Sequence, residues 1–441
     1  MSRKIGLLFL CLLVSASLAA QTDPLRRRGN LGANLSAPAE GRPGAVVRSV
    51  MPGSAAAGMG LQPGDRITKI NGQAISDELS YERIHAPRAG DIVRYEIVRG
   101  DQTLEKQATL PEMPREKIPG LQVIYDSVTS SRGQRLRTIL TRPANSRGRL
   151  PAVFLGAWLS CDSPEAPFGP SPSDGMAQLL RAIAKDSGYV LMRVEPPGRG
   201  DSDGTCIDTD FVTELEGYRA AFQALLRSEF VDPNRVFILG LSNGGGYAPL
   251  IPGDARVAGF ISIGGWSKTW FEHMMELERR RLVLDGLPPG EITKRMQGYA
   301  EFYTDYLIHK QTPGEIIRRK PQLKELWYDM PEHQYGRPAA FYHDLQDLNL
   351  WAAWEKVGAP VLAIWGEHDW IMSRADIEKI AELANRKHPG NGKFVALPRT
   401  THGIIKNGTD EYSMRNFDTG SFNQAVVPLV FGWMKTVLTA R

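Results

Sequence analysis

The sequence predicts an α/β fold: a mostly parallel sheet carrying a helical cap insertion, preceded by a small, mostly-β domain. Three observations predict it. Beyond about residue 120, short apolar runs that read as strands alternate with helical patterns, as in a parallel sheet with crossover helices. From Trp266 to Val357, about 90 residues of helix-like sequence interrupt that alternation. Before Leu110, short strands are instead separated by Gly/Pro turns. The implied organisation is a targeting segment over 1–20, a small domain over 27–111, a linker over 112–120 and a large domain over 121–441, with the cap at about 266–357.

The first element is the targeting segment. Arg3-Lys4 supply positive charge, Ile5 to Val14 an apolar stretch, and Ser17 and Ala19 the small residues before a cleavage site. That stretch is too short for a stable membrane anchor, and no later run approaches 18 apolar residues. A periplasmic or secreted protein without a stable membrane anchor is expected. Residues 21–30 are polar and charged and read as a flexible lead-in. Arg26-Arg27-Arg28 within it reads as a solvated face or export-flanking charge. Across the 441 residues, 53 Lys and Arg stand against 49 acidic residues, a balance that argues against nucleic acid as partner. With Cys11 removed by export, Cys161 and Cys206 remain, both in loops after successive strands. The choice is between a disulfide and two separate buried thiols, and the oxidising compartment and shared position favour the disulfide. Two cysteines without nearby histidines do not make a zinc site, so no metal is expected.

In the small domain, Ala45–Val50 reads as a strand. Asp65–Ile70 alternates polar and apolar residues and runs into Asn71-Gly72, a hairpin turn. Asp91–Val98 is a further strand closed by Arg99-Gly100-Asp101, and Leu79–His85 suits a short helix. Gly29-Asn30-Leu31-Gly32, Ser54-Ala55-Ala56 and Leu61-Gln62-Pro63-Gly64-Asp65-Arg66-Ile67 with Ile70-Asn71-Gly72 resemble a PDZ domain over about 80 residues. The resemblance implies that the backbone at Leu31 and Gly32 holds a peptide's terminal carboxylate. The peptide would add as a strand beside Gly32–Leu35, with the helix as the facing wall. The plain alternative is a spacer or docking module within its own chain.

Pro111–Pro119 is rich in proline and charge and reads as the linker. Strands are then expected at Leu121–Val128, Arg135–Thr141, Ala152–Leu155, Val190–Val194, Val236–Leu239, Gly259–Ile263, Val361–Trp365 and Lys393–Leu397. Helices are expected at Asp174–Asp186, Asp210–Ser228 and Asp376–Ala384, and in the cap at Glu272–Leu284, Glu291–His309 and Ala339–Lys356.

The chemistry centres on Gly240-Leu241-Ser242-Asn243-Gly244, directly after the apolar strand Val236–Leu239. A glycine-flanked serine between a buried strand and a helix is the pattern of a nucleophile elbow. A serine hydroxyl needs a base within hydrogen-bond reach, and the base needs an orienting acid. Asp369 follows the strand Val361–Trp365 in Gly366-Glu367-His368-Asp369. His402 follows the last strand in Thr401-His402-Gly403. From residue 120 onward the chain resembles the α/β-hydrolase superfamily, whose triad runs in the chain order Ser, Asp, His. The resemblance implies Ser242 as nucleophile, His402 as general base and then acid, and Asp369 as the group that orients the imidazole. Glu367 and His368 are the neighbouring rivals for the acid and the base.

An oxyanion hole is expected from the backbone N–H of Asn243 and, in the loop Gly156-Ala157-Trp158-Leu159, from Ala157, with Trp158 second. The sequence here has Leu155-Gly156 where many relatives have His-Gly, which leaves that second donor less defined. Pro196–Gly204 resembles a supporting turn of the family and carries no chemistry of its own. A Cys161–Cys206 disulfide would tie it to the oxyanion loop. The cap's aromatic residues, among them Trp266, Trp270, Phe271, Tyr299, Tyr303, Trp327 and Trp351, suit either a pocket or the cap's own core. His273, His309, His333 and His343 are candidate pocket residues on the same footing. An aminopeptidase would need an acidic cluster, for which Glu272, Glu276 and Asp305 are available. The resulting expectation is an exported serine hydrolase acting on an ester or amide (peptide) bond of a small molecule or peptide without a cofactor. The alternative is an adaptor that binds partners through the PDZ groove and carries an inert hydrolase scaffold.

Overall fold

The computed structural model describes residues 25–38, 42–84, 87–417 and 419–440 of the chain; the expected signal peptide, with Cys11, and the first lead-in residues lie outside these. Small-domain strands β1 (Ala33–Ser36), β2 (Ala45–Val50), β3 (Arg66–Ile70), β5 (Ile92–Arg99) and β6 (Gln102–Thr109) lie in that order. The short β4 (Gln73–Ala74) folds back onto β3. Asn71 (φ 50) and Gly72 (φ 82) both occupy the left-handed region, which is why Asn-Gly closes that hairpin. The Pro-Gly-Asp turn has its own lock: buried Asp65 accepts the N–H of Gln62 and pairs with Arg99, which holds its carboxyl below the usual range. Val47, Ile67, Val93 and Ile97 fill the core, with the helices α1 (Ala55–Gly58) and α2 (Glu78–Arg83) beside the sheet. β1 pairs only with β2 among the described strands, so its other edge faces outward.

The large domain is built on strands β7 (Leu121–Thr129), β8 (Arg135–Pro143), β9 (Leu150–Gly156), β10 (Val190–Val194), β11 (Val231–Leu241), β12 (Gly259–Ile263), β15 (Val361–His368) and β16 (Gly392–Thr401). Their order is β7-β8-β10-β9-β11-β12-β15-β16, and only the β7–β8 and β8–β10 pairings are antiparallel. Every residue of β10 and β12 is buried, as befits central strands covered on both faces. Helix α3 (Gly175–Asp186) starts at Asp174 and α4 (Phe211–Arg227) at Asp210, each aspartate capping a free backbone N–H of the first turn. The short α5 (Asn243–Tyr247) leaves the elbow. The cap holds α6 (Trp270–Leu284), α7 (Pro289–Tyr303), α8 (Pro313–Arg319), the small hairpin β13–β14 (His333–Gln334 and Arg337–Pro338), α9 (Ala339–Gln346) and α10 (Leu350–Glu355). Helices α11 (Arg374–Lys387), α12 (Asp410–Arg415) and α13 (Val426–Thr439) complete the domain.

Several expectations need correction. The helix over Glu291–His309 is α-helical only to Tyr303 and ends in a π turn, Thr304–Ile308. The stretch Ala339–Lys356 breaks between α9 and α10, where Asn349 caps a new start. The terminal helix α13 was not anticipated, although Val426, Val430, Met434 and Val437 give it a buried stripe. The flexible lead-in is also corrected for residues 25–30. Leu25 is buried, Arg28 and Gly29 bridge to Arg88 and Glu112, and Arg27 is 4% exposed. Arg26 is exposed, pairing with Asp91 at the surface, but Arg27 and Arg28 are not a solvated face. Arg27 pairs with Glu165 at 2.5 Å and Asp201 at 3.1 Å, and Arg28 reaches the second oxygen of Glu165. Between the domains, Glu116 and Ile118 are buried, Glu116 against Arg193.

Candidate active site

The carboxyl edge of the sheet gathers the three side chains singled out by sequence. β11 ends at Leu241 and the chain turns into α5 with Ser242 at φ 55, ψ −121, a conformation costing about 1–3 kcal/mol that surrounding packing must offset. The flanking glycines are demanded by space. A Cβ at Gly240 would lie 2.3 Å from the Gly244 carbonyl oxygen, and one at Gly244 only 2.1 Å from that of Gly156. Across the sheet, His368 and Thr401 are register partners in β15 and β16, so the residues that follow them, Asp369 and His402, emerge side by side. Asp369 Oδ1 accepts the N–H groups of Ile371 (3.0 Å) and Met372 (2.8 Å), which leaves Oδ2 for His402 Nδ1 at 2.8 Å. His402 Nε2 lies 2.8 Å from Ser242 Oγ. All three are withdrawn from solvent, with relative exposures of 7% for Ser242, 4% for Asp369 and 5% for His402.

The rival residues go elsewhere. Glu367 is exposed and accepts the N–H of Arg399, and His368 pairs with Asp410. Asn243, the first residue of α5, has a backbone N–H without an intrahelical acceptor. Gly156 of β9 is the register partner of Gly240, so Ala157 and Trp158 begin their loop beside the elbow. That loop is held from two sides. Cys161 is disulfide-bonded to Cys206, and Arg337 of the cap hairpin donates to the Leu159 carbonyl at 2.9 Å.

Sequence reasoning treated Trp266 only as one aromatic residue among many. Its indole N–H donates to Asn243 Oδ1 at 3.0 Å, fixing the side chain next to Ser242. Trp266 stacks edge-on against Trp270, and His273 packs on Trp270 with ring centroids 4.8 Å apart. His273 is buried, and desolvation holds its pKa down to about 3, so the imidazole stays neutral near His402 and Asp369. No motif marks this histidine in the sequence. The other cap histidines serve packing or surface contacts: His333 meets the Ile207 carbonyl, His343 lies against Tyr306, and exposed His309 pairs with Asp305. Tyr299 and Tyr303 are buried in the cap's own core, while Trp351 is 43% exposed. The acidic candidates are committed: Glu272 closes the capping box of α6 with Thr269, Glu276 pairs with Lys268, and Asp305 with Lys320 and Arg319.

Leu31 and Gly32 sit at the head of β1, but the Gly32 N–H is already accepted by Asn30 Oδ1 at 3.0 Å. Among the described residues no group of three or more His, Cys, Asp or Glu side chains is disposed to hold a metal ion, and no helix is long and apolar enough to cross a membrane. A large cleft of about 970 Å³ lies near Phe260 and Val357–Ala359, at the opposite ends of the strands from Ser242.

Two family profiles match this chain: that of the PDZ domain over residues 21–84 and that of the alpha/beta hydrolase family over residues 152–412. Proteins of Brucella suis and Brucella melitensis, both named as zinc metalloproteases, are 35% identical over 63 residues. That stretch is 14% of this chain and spans only 17% of their own length. Among solved structures, an esterase of Pyrococcus furiosus aligns at 10% identity over 73% of this chain and 96% of its own, with a TM-score of 0.42. Est1E of Butyrivibrio proteoclasticus aligns at 15% identity over 72% and 99%, TM-score 0.44. A proline iminopeptidase of Mycobacterium smegmatis aligns at 16% over 72% and 100%, TM-score 0.42.

Proposed function

Since the chain belongs to the alpha/beta hydrolase family and carries a PDZ domain ahead of that region, we propose that it is an exported serine hydrolase working through an acyl-enzyme on Ser242. The observation that carries this reading is the pair of 2.8 Å contacts running from Ser242 Oγ through His402 to Asp369. As Oγ attacks a carbonyl carbon, its proton passes to His402 Nε2, while Asp369 holds the Nδ1–H and offsets the positive charge that forms. The N–H groups of Asn243 and Ala157 receive the oxyanion. The tetrahedral centre collapses to the acyl-enzyme, and His402 gives its proton to the departing alcohol or amine. Water, deprotonated by the same imidazole, then releases the acid and restores the serine.

Within this class, the surroundings favour an ester of a neutral acyl group over an aminopeptidase substrate. Trp266, which bonds Asn243, and behind it Trp270 and uncharged His273 bring no charge to the site, and the cap carboxylates Glu272, Glu276 and Asp305 are each engaged by a helix cap or a cation. Export is supported by the leader-like residues 1–20 and by the Cys161–Cys206 disulfide. The PDZ groove, in this reading, receives a peptide C-terminus. The test is labelling by a fluorophosphonate probe together with a panel of acyl esters and amino-acyl amides. Wild type is expected to label and to turn over the esters, and Ser242→Ala to lose label and on the order of 10⁴-fold or more in kcat. Failure of wild type to label or to hydrolyse any member under all conditions would favour an adaptor with an inert scaffold.

A further inference from the structure

The groove between β1 and α2 is built by both domains. Its volume is about 630 Å³, and the residues lining it include Leu35 and Tyr81 from the small domain and Phe168, Gly198, Arg199 and Thr205 from the large one. Arg199 contacts Glu82, in the last turn of α2, through Nη2 and Oε2. The Gly29 N–H reaches the Pro87 carbonyl at 2.7 Å, which holds the loop before β1 against the chain leaving α2. Arg199 therefore stands at the end of the groove where the Gly29–Gly32 loop lies.

Charge at that end is simple. Among the described residues lining the groove, Arg199 is the only cation and Glu82 the only anion. The other nearby guanidinium groups are committed: Arg27 and Arg28 to Glu165, Arg88 to the carbonyls of Gly200 and Ser202, and Arg83 to Asp208. Gly32, whose N–H would face a carboxylate, already serves Asn30. Arg199 Nε is buried without a hydrogen-bond partner, so its guanidinium has donor capacity beyond the Glu82 contact.

We propose that Arg199, a residue of the large domain, pairs with the terminal carboxylate of a peptide lying in this groove, and that Glu82 occupies the cation when the groove is empty. The ligand class is a peptide with a free C-terminus and an apolar last side chain, suited to walls made by Ile70, Ile84 and Leu110. The proposal rests on the reading that the groove takes a peptide, and it adds that the site is incomplete without the hydrolase domain.

The experiment uses the full chain and fluorescence anisotropy. A panel of fluorescein-labelled hexapeptides ending in valine, leucine, isoleucine or phenylalanine is screened, and its tightest member is compared with the same peptide amidated at the C-terminus. Loss of a charge-assisted pair predicts roughly tenfold weaker binding of the free acid to Arg199→Met, with the amidated peptide bound weakly and equally by both proteins. Glu82→Gln, which frees the arginine, should bind the acid several-fold more tightly than wild type. Free-acid binding that Arg199→Met leaves unchanged overturns the Arg199 assignment while the groove reading stands. No binding of any panel member by wild type overturns both. Should Arg199→Met fail to fold, Glu82→Gln decides: tighter binding of the acid supports the pairing, and unchanged affinity overturns it.

Discussion

Glu195 stands at the carboxyl end of β10, wholly buried, receiving the hydroxyl of Ser163 and the N–H of Asp201. A side chain at Gly200 would meet its carboxyl group at 1.8 Å, so the loop has closed over it. Burial pushes its pKa up to about 7 from an ordinary value of 4.5. A carboxyl whose folded pKa is raised binds its proton more tightly in the folded state. Its contribution to stability is therefore complete below about pH 4.5 and is lost as pH rises through about 7. The span corresponds to at most on the order of 3 kcal/mol. Glu195→Gln, neutral at every pH, should flatten the fall in Tm between roughly pH 5 and 8, and melting curves that run parallel in the two proteins would refute this. His273 has the opposite sign. Its folded pKa lies below 6.5, so its share of stability is present above that value and is lost as pH falls. Glu195 is not singled out by the sequence, and His273 only as one of four cap histidines, because nothing local marks a residue that tertiary packing strips of water. Ser242, Asp369 and His402 were legible for the converse reason: each sits just past the carboxyl end of a strand, and parallel register alone carries those ends to one place. The sequence favours Asp369 over Glu367 only through its position in the family pattern, two residues later. The distinction lies in the turn that lets Asp369 Oδ1 accept two backbone N–H groups while Glu367 faces solvent.

At the level of elements, strands were more readable than cap helices. β10 and β12 are mostly apolar runs, interrupted by Arg193 and Ser262, because both faces are covered, and such runs announce themselves. The cap helices meet partners far along the chain, so their ends follow contacts rather than propensity, as the π turn after α7 and the break at Asn349 illustrate. The loop from Gly156 to Cys161 is the irregular element on which the proposed chemistry leans most. The disulfide fastens its far end to Cys206 and Arg337 fastens Leu159. Closing a loop across 45 residues of sequence stabilises by about 4 kcal/mol in the chain-entropy description. Cys161→Ser combined with Cys206→Ser should therefore lower Tm by roughly 6 °C. It should also reduce kcat more than it raises KM, since a looser second oxyanion donor weakens the transition state first. A double variant with unchanged kcat would mean that Arg337 alone holds the loop.

On the scale of the whole molecule, the two domains meet at a buried charge network around the loop Pro196–Gly204. Asp201 is fully buried and receives Arg27 at 3.1 Å, Arg137 at 3.0 Å and the Arg28 N–H at 2.8 Å. Arg137 also donates to the Leu25 carbonyl, and Glu165 takes Arg27, Arg28 and the hydroxyl of Tyr125. In the sequence Arg27 looks like solvated charge, as its exposed neighbour Arg26 is, because its carboxylates lie 138 and 174 residues away, beyond any local pattern. A network of this kind gives modest net stability when whole and a large penalty when cut, since each remaining charge is left buried without a partner. Asp201→Ala takes the carboxylate partner from Arg137 and one of two from Arg27, and should cost about 3–5 kcal/mol. The loss should fall on domain docking, because Asp201 ties Arg27 and Arg28, which enter the small domain, to Arg137 on β8 of the large one. The expected result is new protease sensitivity between the domains, around residues 111–120, and a larger radius of gyration in solution scattering. High salt should reproduce little of this in wild type, because the pairs are shielded from solvent ions. If Asp201→Ala instead melts as a unit with unchanged dimensions and no inter-domain cleavage, the docking rests on the Arg88 contacts to Gly200 and Ser202 rather than on the charges.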